Sequence, residues 1–261
     1  MDLGIAGKTA IVAGSSAGLG LACARALAEE GVRLFMSARG KERLDAAARA
    51  LQVELGASVT PVVGDHGTTE GRAALLEACP RPDIMVINCS PPRMVESYLD
   101  MEPEDWAESW STTFLAPVEL IRAATPGMVE RRFGRIVNIA TVGAKFPLEE
   151  RLLSGATRAA LSNYTVAVGR ALVRHNVTIN NLLPGIYETP GLTHILGGQG
   201  VTAGQGPDGL AVSPFGGTLP ANRPGSPDEL AALCAVLCGE RAGYIVGQSV
   251  VVDGGLTRST F

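Results

Sequence analysis

Charge is scarce in this 261-residue chain: Asp, Glu, Lys and Arg make up 18% of it, where about a quarter is usual. Its 22 basic and 26 acidic residues leave a formal net charge of −4. The basic ones gather in no stretch, which argues against a nucleic-acid partner. Histidine occurs only 3 times. The 5 cysteines, Cys23, Cys79, Cys89, Cys234 and Cys238, are odd in number and include no C-x-x-C pair, so neither a disulfide framework nor a four-ligand zinc site is written here. Cys234 and Cys238, one helical turn apart, read as small buried hydrophobes, and no metal is expected. Met1-Asp2-Leu3-Gly4 lacks a basic, then apolar leader. No window reaches the roughly 18 apolar residues of a membrane span. The expectation is a cytoplasmic protein without a membrane partner.

What is present is apolar residues, at 46%, and glycine, at 32 of 261. The apolar share suits a packed core, and glycine exceeds its usual level of roughly 7%. Five glycines fall between Gly4 and Gly20 and eight between Gly197 and Gly217, two segments that call for backbone freedom. The length favours one domain over residues 1–261.

Apolar β-type runs alternate with helical-period runs from end to end. Strands are predicted at Thr9–Ala13, Arg33–Met36, Val59–Val63, Ile84–Asn88, Arg135–Ile139, Val177–Leu182 and Ser249–Val252. Helices are predicted at Leu19–Glu30, Lys41–Leu55, Glu70–Ala78, Glu104–Arg131, Leu152–Arg174 and Pro227–Leu237. Strand alternating with helix predicts an α/β fold: a Rossmann-like, doubly wound sheet of seven mainly parallel strands with helices on both faces, and ligands at the carboxyl ends of the strands. One connection is out of proportion. The residues from Tyr187 to Gly225 are rich in Gly and Pro yet carry Leu192, Ile195, Leu196, Leu210, Val212 and Phe215, which reads as a lid over a substrate pocket. It ends at Ser226-Pro227-Asp228-Glu229, a helix cap with proline at the first helical position and glutamate three residues after the cap.

Directly after the first strand comes Ala13-Gly14-Ser15-Ser16-Ala17-Gly18-Leu19-Gly20, opening a helix. A tight turn needs Gly14, close approach of backbone to a pyrophosphate needs Gly18, and packing of helix on strand needs Gly20. Standing alone the pattern is a plain glycine turn; between a strand and a helix it reads as a dinucleotide site. The second strand ends in Ser37-Ala38-Arg39. An acid there would hold a ribose 2′-hydroxyl, whereas Arg39 suits a 2′-phosphate, so NADP(H) is the expected cofactor.

Together these features resemble the short-chain dehydrogenase/reductase family, and within it the beta-ketoacyl-ACP-reductase-like members, over nearly the whole chain. The resemblance rests on Gly14, Gly18 and Gly20; on Asp65 after the third strand; and on Gly134-Arg135-Ile136-Val137-Asn138-Ile139. It rests further on Asn180 followed by Pro184-Gly185 and Thr189, and on Gly247 with Asp253-Gly254-Gly255. It implies that Gly14, Ser16, Gly18, Leu19, Gly20, Arg39, Asp65, His66, Asn88, Gly185, Tyr187 and Thr189 bind the cofactor. Asp65 falls at the adenine and the segment from Gly185 to Thr189 at the nicotinamide carboxamide. The family's catalytic Asn, Ser, Tyr and Lys correspond to Thr113, Thr141, Ser154 and Arg158, so the chain resembles a subgroup with a degenerate tetrad. Ala13 also replaces the usual Thr of the glycine turn, and Asn88-Cys89-Ser90, followed by two prolines, replaces Asn-Asn-Ala-Gly. The family pairs subunits through helices matching Glu104–Arg131 and Leu152–Arg174 and through the last strand, which implies a homo-oligomer, dimer or tetramer. Without that resemblance, the apolar stripes of those helices would simply face the sheet.

Reducing a carbonyl takes a hydride and a proton. The family Tyr, with an ordinary pKa near 10, supplies the proton with help from its Lys. An alkyl hydroxyl at Ser154 is a far weaker acid, but Ser154 and Arg158 share a helix face, with Thr141 projecting towards them, and two hydroxyls and a guanidinium can bind an oxyanion. Arg158 cannot act as a base; its fork can hold ribose hydroxyls or a substrate carboxylate. Candidate proton donors are Tyr187, Lys145, the pair Glu149-Glu150, His194 and water. The expected function is an NADP(H)-dependent oxidoreductase acting on a carbonyl or hydroxyl of a small, mainly apolar substrate, with atypical proton delivery. The alternatives are a non-redox enzyme on the same scaffold (lyase, hydratase or dehalogenase) and a non-catalytic NADP(H)-binding protein.

Overall fold

A computed structural model describes residues 1–95, 97–195, 210–213 and 218–258. Its sheet has seven strands: β1 (Thr9–Ala13), β2 (Arg33–Ala38), β3 (Val59–Val63), β4 (Ile84–Asn88), β5 (Gly134–Ile139), β6 (Val177–Pro184) and β7 (Ser249–Val252). They pair in the order β3-β2-β1-β4-β5-β6-β7, every pair parallel. The predicted α/β architecture is thus the observed one. The order reverses between β1 and β4, and the crevice beyond their carboxyl ends is where such sheets bind ligands.

The described residues form eight α-helices: α1 (Gly18–Glu29), α2 (Lys41–Leu55), α3 (Thr69–Ala78), α4 (Pro103–Trp110), α5 (Ala116–Arg131), α6 (Leu152–Leu172), α7 (Pro190–Ile195) and α8 (Pro227–Cys238). Alternation along each strand divides the core. Ala10, Val12, Ile84, Val86 and Val137 pack with Cys23 and Leu27 of α1, Leu44 and Leu51 of α2, and Leu230 and Cys234 of α8. Their neighbours Ile11, Met85, Ile87 and Ile136 face the other side, against Leu75 of α3 and Leu120, Ile121 and Met128 of α5. All five cysteines are buried thiols. The Ser226 and Glu229 capping box starts α8 as the sequence predicts.

The single helix predicted over 104–131 is divided. Between α4 and α5 the chain makes one wide π-helical turn, Ser111–Leu115. Pro117 has no N–H to offer to the carbonyl four residues back, and Thr113 Oγ1 donates to the Ser109 carbonyl at 2.7 Å, so the α-helical ladder is interrupted from both sides. A one-residue insertion of this kind barely disturbs helical periodicity, which is why it is not read from the sequence.

Beyond β6, Tyr187 bridges to Gly225 in parallel, and Ile186, Ala211 and Leu219 form a small buried cluster with Leu192 and Leu256. The lid predicted over 187–225 therefore has packed ends. Leu196, Phe215 and the eight glycines from Gly197 to Gly217 lie outside the described residues, as does the His194 side chain. Among the described residues no helix is long and apolar enough to cross a membrane, and no group of His, Cys, Asp and Glu could hold a metal ion.

Candidate active site and nucleotide cleft

The glycine turn leaves β1 and enters α1 with Gly14 and Gly18 at φ +65° and +56°, a left-handed conformation that penalises any side chain. A Cβ on Gly14 would overlap the Asn88 carbonyl oxygen, and one on Gly20 the Gly14 carbonyl oxygen. Asn88 Nδ2 donates to that Gly14 carbonyl at 2.9 Å, so the end of β4 braces the turn. Ala17, the N-cap of α1, offers no side-chain acceptor to the first turn. Its N–H groups are therefore left for an anion at the positive end of the helix.

Ser16 lies in this turn and accepts from Arg43 Nε at 3.2 Å. Arg39, at the end of β2 and largely exposed, stands 4.0 Å from Asp65 Oδ2. Ser16 and Arg43 thus place a hydroxyl and a guanidinium at the glycine turn, while the Arg39 guanidinium stands near Asp65. Arg43 is a residue that sequence reading missed. The one available signal is its position four residues after Arg39, on the opening turn of α2. Leu19 packs partly buried against the core. Asp65 Oδ1 accepts from the Gly67 N–H at 2.8 Å, and the half-buried His66 approaches Cys89 Sγ at 3.4 Å. Burial pushes the His66 pKa down; the Asp65 carboxylate opposes this, while Arg39 and Arg72 add to it.

Opposite the turn, a side chain at Gly18 would meet that of Thr189 at 3.4 Å, so the segment after β6 comes back over the start of α1. Gly185 packs closely on Asp253; a Cβ there would lie 2.7 Å from Asp253 Cβ. The Tyr187 phenol points the other way. Its hydroxyl donates to the Val252 carbonyl at 3.0 Å, and burial pushes its pKa up to about 12, helped by Glu229 and Asp253. Bonded and weakened as an acid, that phenol is no longer a candidate proton donor. Lys145 is exposed, its ammonium 5.9 Å from the Phe146 ring centre, and Glu149 is exposed.

Ser154 and Arg158, one turn apart on α6, are both buried. Arg158 donates to Ser154 Oγ at 2.6 Å through one terminal nitrogen and to the Cys89 carbonyl at 3.1 Å through the other. Burial lowers the Arg158 pKa; Cys89 opposes this and the neighbouring Arg151 adds to it. The Cys89 thiol is pushed up to about 11 by burial, so it is protonated and inert at neutral pH. Thr141 caps the 3₁₀ turn Val142–Ala144, accepting from the Gly143 N–H at 3.2 Å. That turn lies against α6, where a Cβ on Gly155 would stand 2.8 Å from the Gly143 carbonyl oxygen, which brings Thr141 to the Ser154 end of the helix. Thr113 behaves differently. Its hydroxyl meets Thr157 Oγ1 at 2.6 Å inside a buried cluster with Ser109, so it reaches the Ser154 and Arg158 pair only through the body of α6.

Residues 13–257 match the family model described as "Enoyl-(Acyl carrier protein) reductase". The chain is 30% identical over its whole length to the uncharacterized oxidoreductase YvaG of Bacillus subtilis, all of which it covers. It is also 30% identical to the human dehydrogenase/reductase SDR family member 4, with 96% of this chain and 88% of that protein aligned. Among solved structures it resembles L-sorbose reductase from Gluconobacter frateurii, determined in complex with NADPH and L-sorbose, at 33% identity and a TM-score of 0.87, with 99% of this chain and 100% of the other covered.

Proposed function

Because this chain belongs to the short-chain dehydrogenase/reductase family, we propose that it is an NADP(H)-dependent oxidoreductase that interconverts a carbonyl and a hydroxyl on a small, mainly apolar substrate without a Tyr and Lys pair. The observation that carries this reading is the junction at the end of β4. Asn88 braces the glycine turn, and the very next residue, Cys89, accepts from Arg158. A nucleotide on the turn is thereby adjacent to the Ser154 and Arg158 pair.

The residues present fit the dinucleotide. The turn has no room for side chains at Gly14 or Gly20, and the first turn of α1 has no side-chain cap. Gly14, Gly18, Leu19 and Gly20 would hold the pyrophosphate; Ser16, Arg39 and Arg43 the 2′-phosphate; Asp65 and His66 the adenine side; and Asn88, Gly185, Tyr187 through its backbone and Thr189 the nicotinamide half. NADP(H) is favoured because Arg39 follows β2 where an NAD-preferring chain needs an acid, and Arg43 reaches Ser16 of the glycine turn. The sorbose reductase, which resembles this chain, carries NADPH. Held there, the nucleotide would supply the hydride for reduction of the carbonyl carbon, or accept it in the reverse direction.

This chain's residues then handle the oxygen. Ser154 Oγ accepts from the guanidinium, so its own proton is left to donate to the substrate oxygen. Thr141, which accepts from a backbone N–H, has its proton free in the same way. Two hydroxyl donors backed by a cation stabilise negative charge on that oxygen in a buried site. The proton itself comes from water through Ser154, since Arg158 cannot release one. Thr113 acts through Thr157, holding α6 in place. Exposed Trp110 on α4, Leu115 on the turn after it and Val166 on α6, with Tyr244 and Ile245 ahead of β7, support a homo-oligomer.

Fluorescence titration with NADPH and NADH tests the cofactor, and loss of reduced-nicotinamide absorbance over a carbonyl panel tests the reaction. Tighter NADPH binding with turnover is expected. NADPH binding without turnover on any carbonyl would favour a non-catalytic nucleotide-binding protein, and no NADPH binding overturns the reading.

A further inference from the structure

Among the described residues, Arg158 carries more charge than its hydrogen-bond partners offset. A guanidinium has five N–H groups, and Arg158 makes two side-chain hydrogen bonds, to Ser154 Oγ and the Cys89 carbonyl, while remaining only 4% exposed. Neither acceptor carries a charge. Among the described residues Arg158 has no ion pair with Asp or Glu, and the one charged side chain that acts on it electrostatically is another guanidinium, Arg151. The other buried arginine of the sheet region shows what full use looks like: Arg135 makes five hydrogen bonds, to four carbonyls and the Asn176 side chain, and lies on the Phe133 ring. Arg135 is a structural staple. Arg158 is partly bonded, buried, permanently charged and placed at the carboxyl ends of the strands.

A buried ion without a counter-ion costs several kcal/mol, and arginine cannot avoid that cost by losing its proton. Such a residue is stabilised when an anion arrives, and a planar carboxylate matches the guanidinium fork with two parallel bonds. The helical spacing places Ser154, the oxygen-binding hydroxyl, on the same fork.

Resting on the function proposed above, we propose that the substrate is a small oxo acid or hydroxy acid, whose carboxylate is held by Arg158 while Ser154 and Thr141 bind the oxygen being reduced or oxidised. The apolar character of the substrate belongs to its remaining chain, and the carboxylate is its one charged anchor. In the alternative arrangement Arg158 holds the ribose hydroxyls of the nucleotide; the two differ in which ligand loses affinity when the fork is removed.

The experiment uses the full chain with NADPH bound, and reads thermal stabilisation and NADPH fluorescence on adding 2-oxobutyrate, 3-oxobutyrate and the methyl ester of each. At least one acid is expected to bind roughly tenfold or more tighter than its ester, the worth of one charge-assisted pair. Arg158→Gln should abolish that preference while leaving NADPH affinity within about threefold, and Arg158→Lys, which keeps the charge and is the safer variant for folding, should retain part of it. Equal binding of acids and esters by the wild-type protein overturns the proposal without any variant. So does a loss of NADPH affinity in Arg158→Gln with the acid preference intact, which assigns the fork to the ribose. Failure to bind NADPH at all is a different result and overturns the oxidoreductase reading instead.

Discussion

Arg158 donates to the Ser154 hydroxyl oxygen at 2.6 Å across one turn of α6, so the guanidinium polarises the hydroxyl and leaves its proton facing away. We propose, from the resemblance carried by the sequence, that Ser154 and Arg158 correspond to the family's Tyr and Lys. The pair supplies a hydrogen-bond donor and a fixed cation, but no acid of pKa near 10.

Removing the donor should therefore hurt the chemical step more than binding. Ser154→Ala is expected to lower kcat for carbonyl reduction by about a hundredfold, the usual worth of an oxyanion donor, with NADPH affinity unchanged. Ser154→Tyr combined with Arg158→Lys should raise reduction of simple ketones by roughly tenfold or more. An unchanged rate in a folded double variant would show that these positions do not limit the reaction.

Arg39 and Arg43 should matter for one nucleotide and not the other. Arg43→Ala removes the bond to Ser16 and Arg39→Ala an exposed cation. Each is expected to weaken NADPH binding by about tenfold, discounted for solvent screening, and to leave NADH binding nearly unchanged. Equal losses for both nucleotides would place the 2′-phosphate elsewhere.

Two glycine substitutions separate conformation from space. Gly14→Ala meets the Asn88 carbonyl at positive φ and should cost more than about 2 kcal/mol of stability along with nucleotide binding. Gly40→Ala has nothing within 4 Å and no positive φ, so it should be neutral or stabilise by up to about 1 kcal/mol. Denaturant midpoints measure both.

The half-buried His66 predicts a pH dependence. Its folded pKa lies below its ordinary 6.5 because burial disfavours the charged ring, so the unfolded chain binds more protons in that interval and stability rises with pH. The contribution is complete above about 6.5 and is lost as pH falls towards and through the folded value. His66→Asn should flatten the melting temperature profile over that window; an unaltered profile would remove His66 as its source.

Much of the fold was legible because parallel strands buried on both faces write themselves as short apolar runs. Four of the seven strands, β1, β3, β4 and β7, begin and end at the predicted residues. β6 runs two residues beyond the prediction, to Pro184, because its end is set by pairing of Leu183 and Pro184 with Val251 and Val252, and partners do not show in a local pattern. The glycine turn was legible for a similar reason, since its backbone conformation excludes other residues.

The site beyond that turn was readable as positions and not as contacts. Sequence alone determined that the chain makes a doubly wound sheet with a glycine turn after its first strand, and it proposed Thr141, Ser154 and Arg158 as the chemistry-bearing positions. Only the tertiary structure decided that Arg43 joins Ser16, that the Tyr187 phenol turns to Val252, that Thr113 is held by Thr157, and that Arg158 sits buried between Ser154 and the Cys89 carbonyl. Backbone preferences act over a few residues and leave a local trace, whereas a side chain's partners are set by how distant elements dock, and 69 positions separate Cys89 from Arg158.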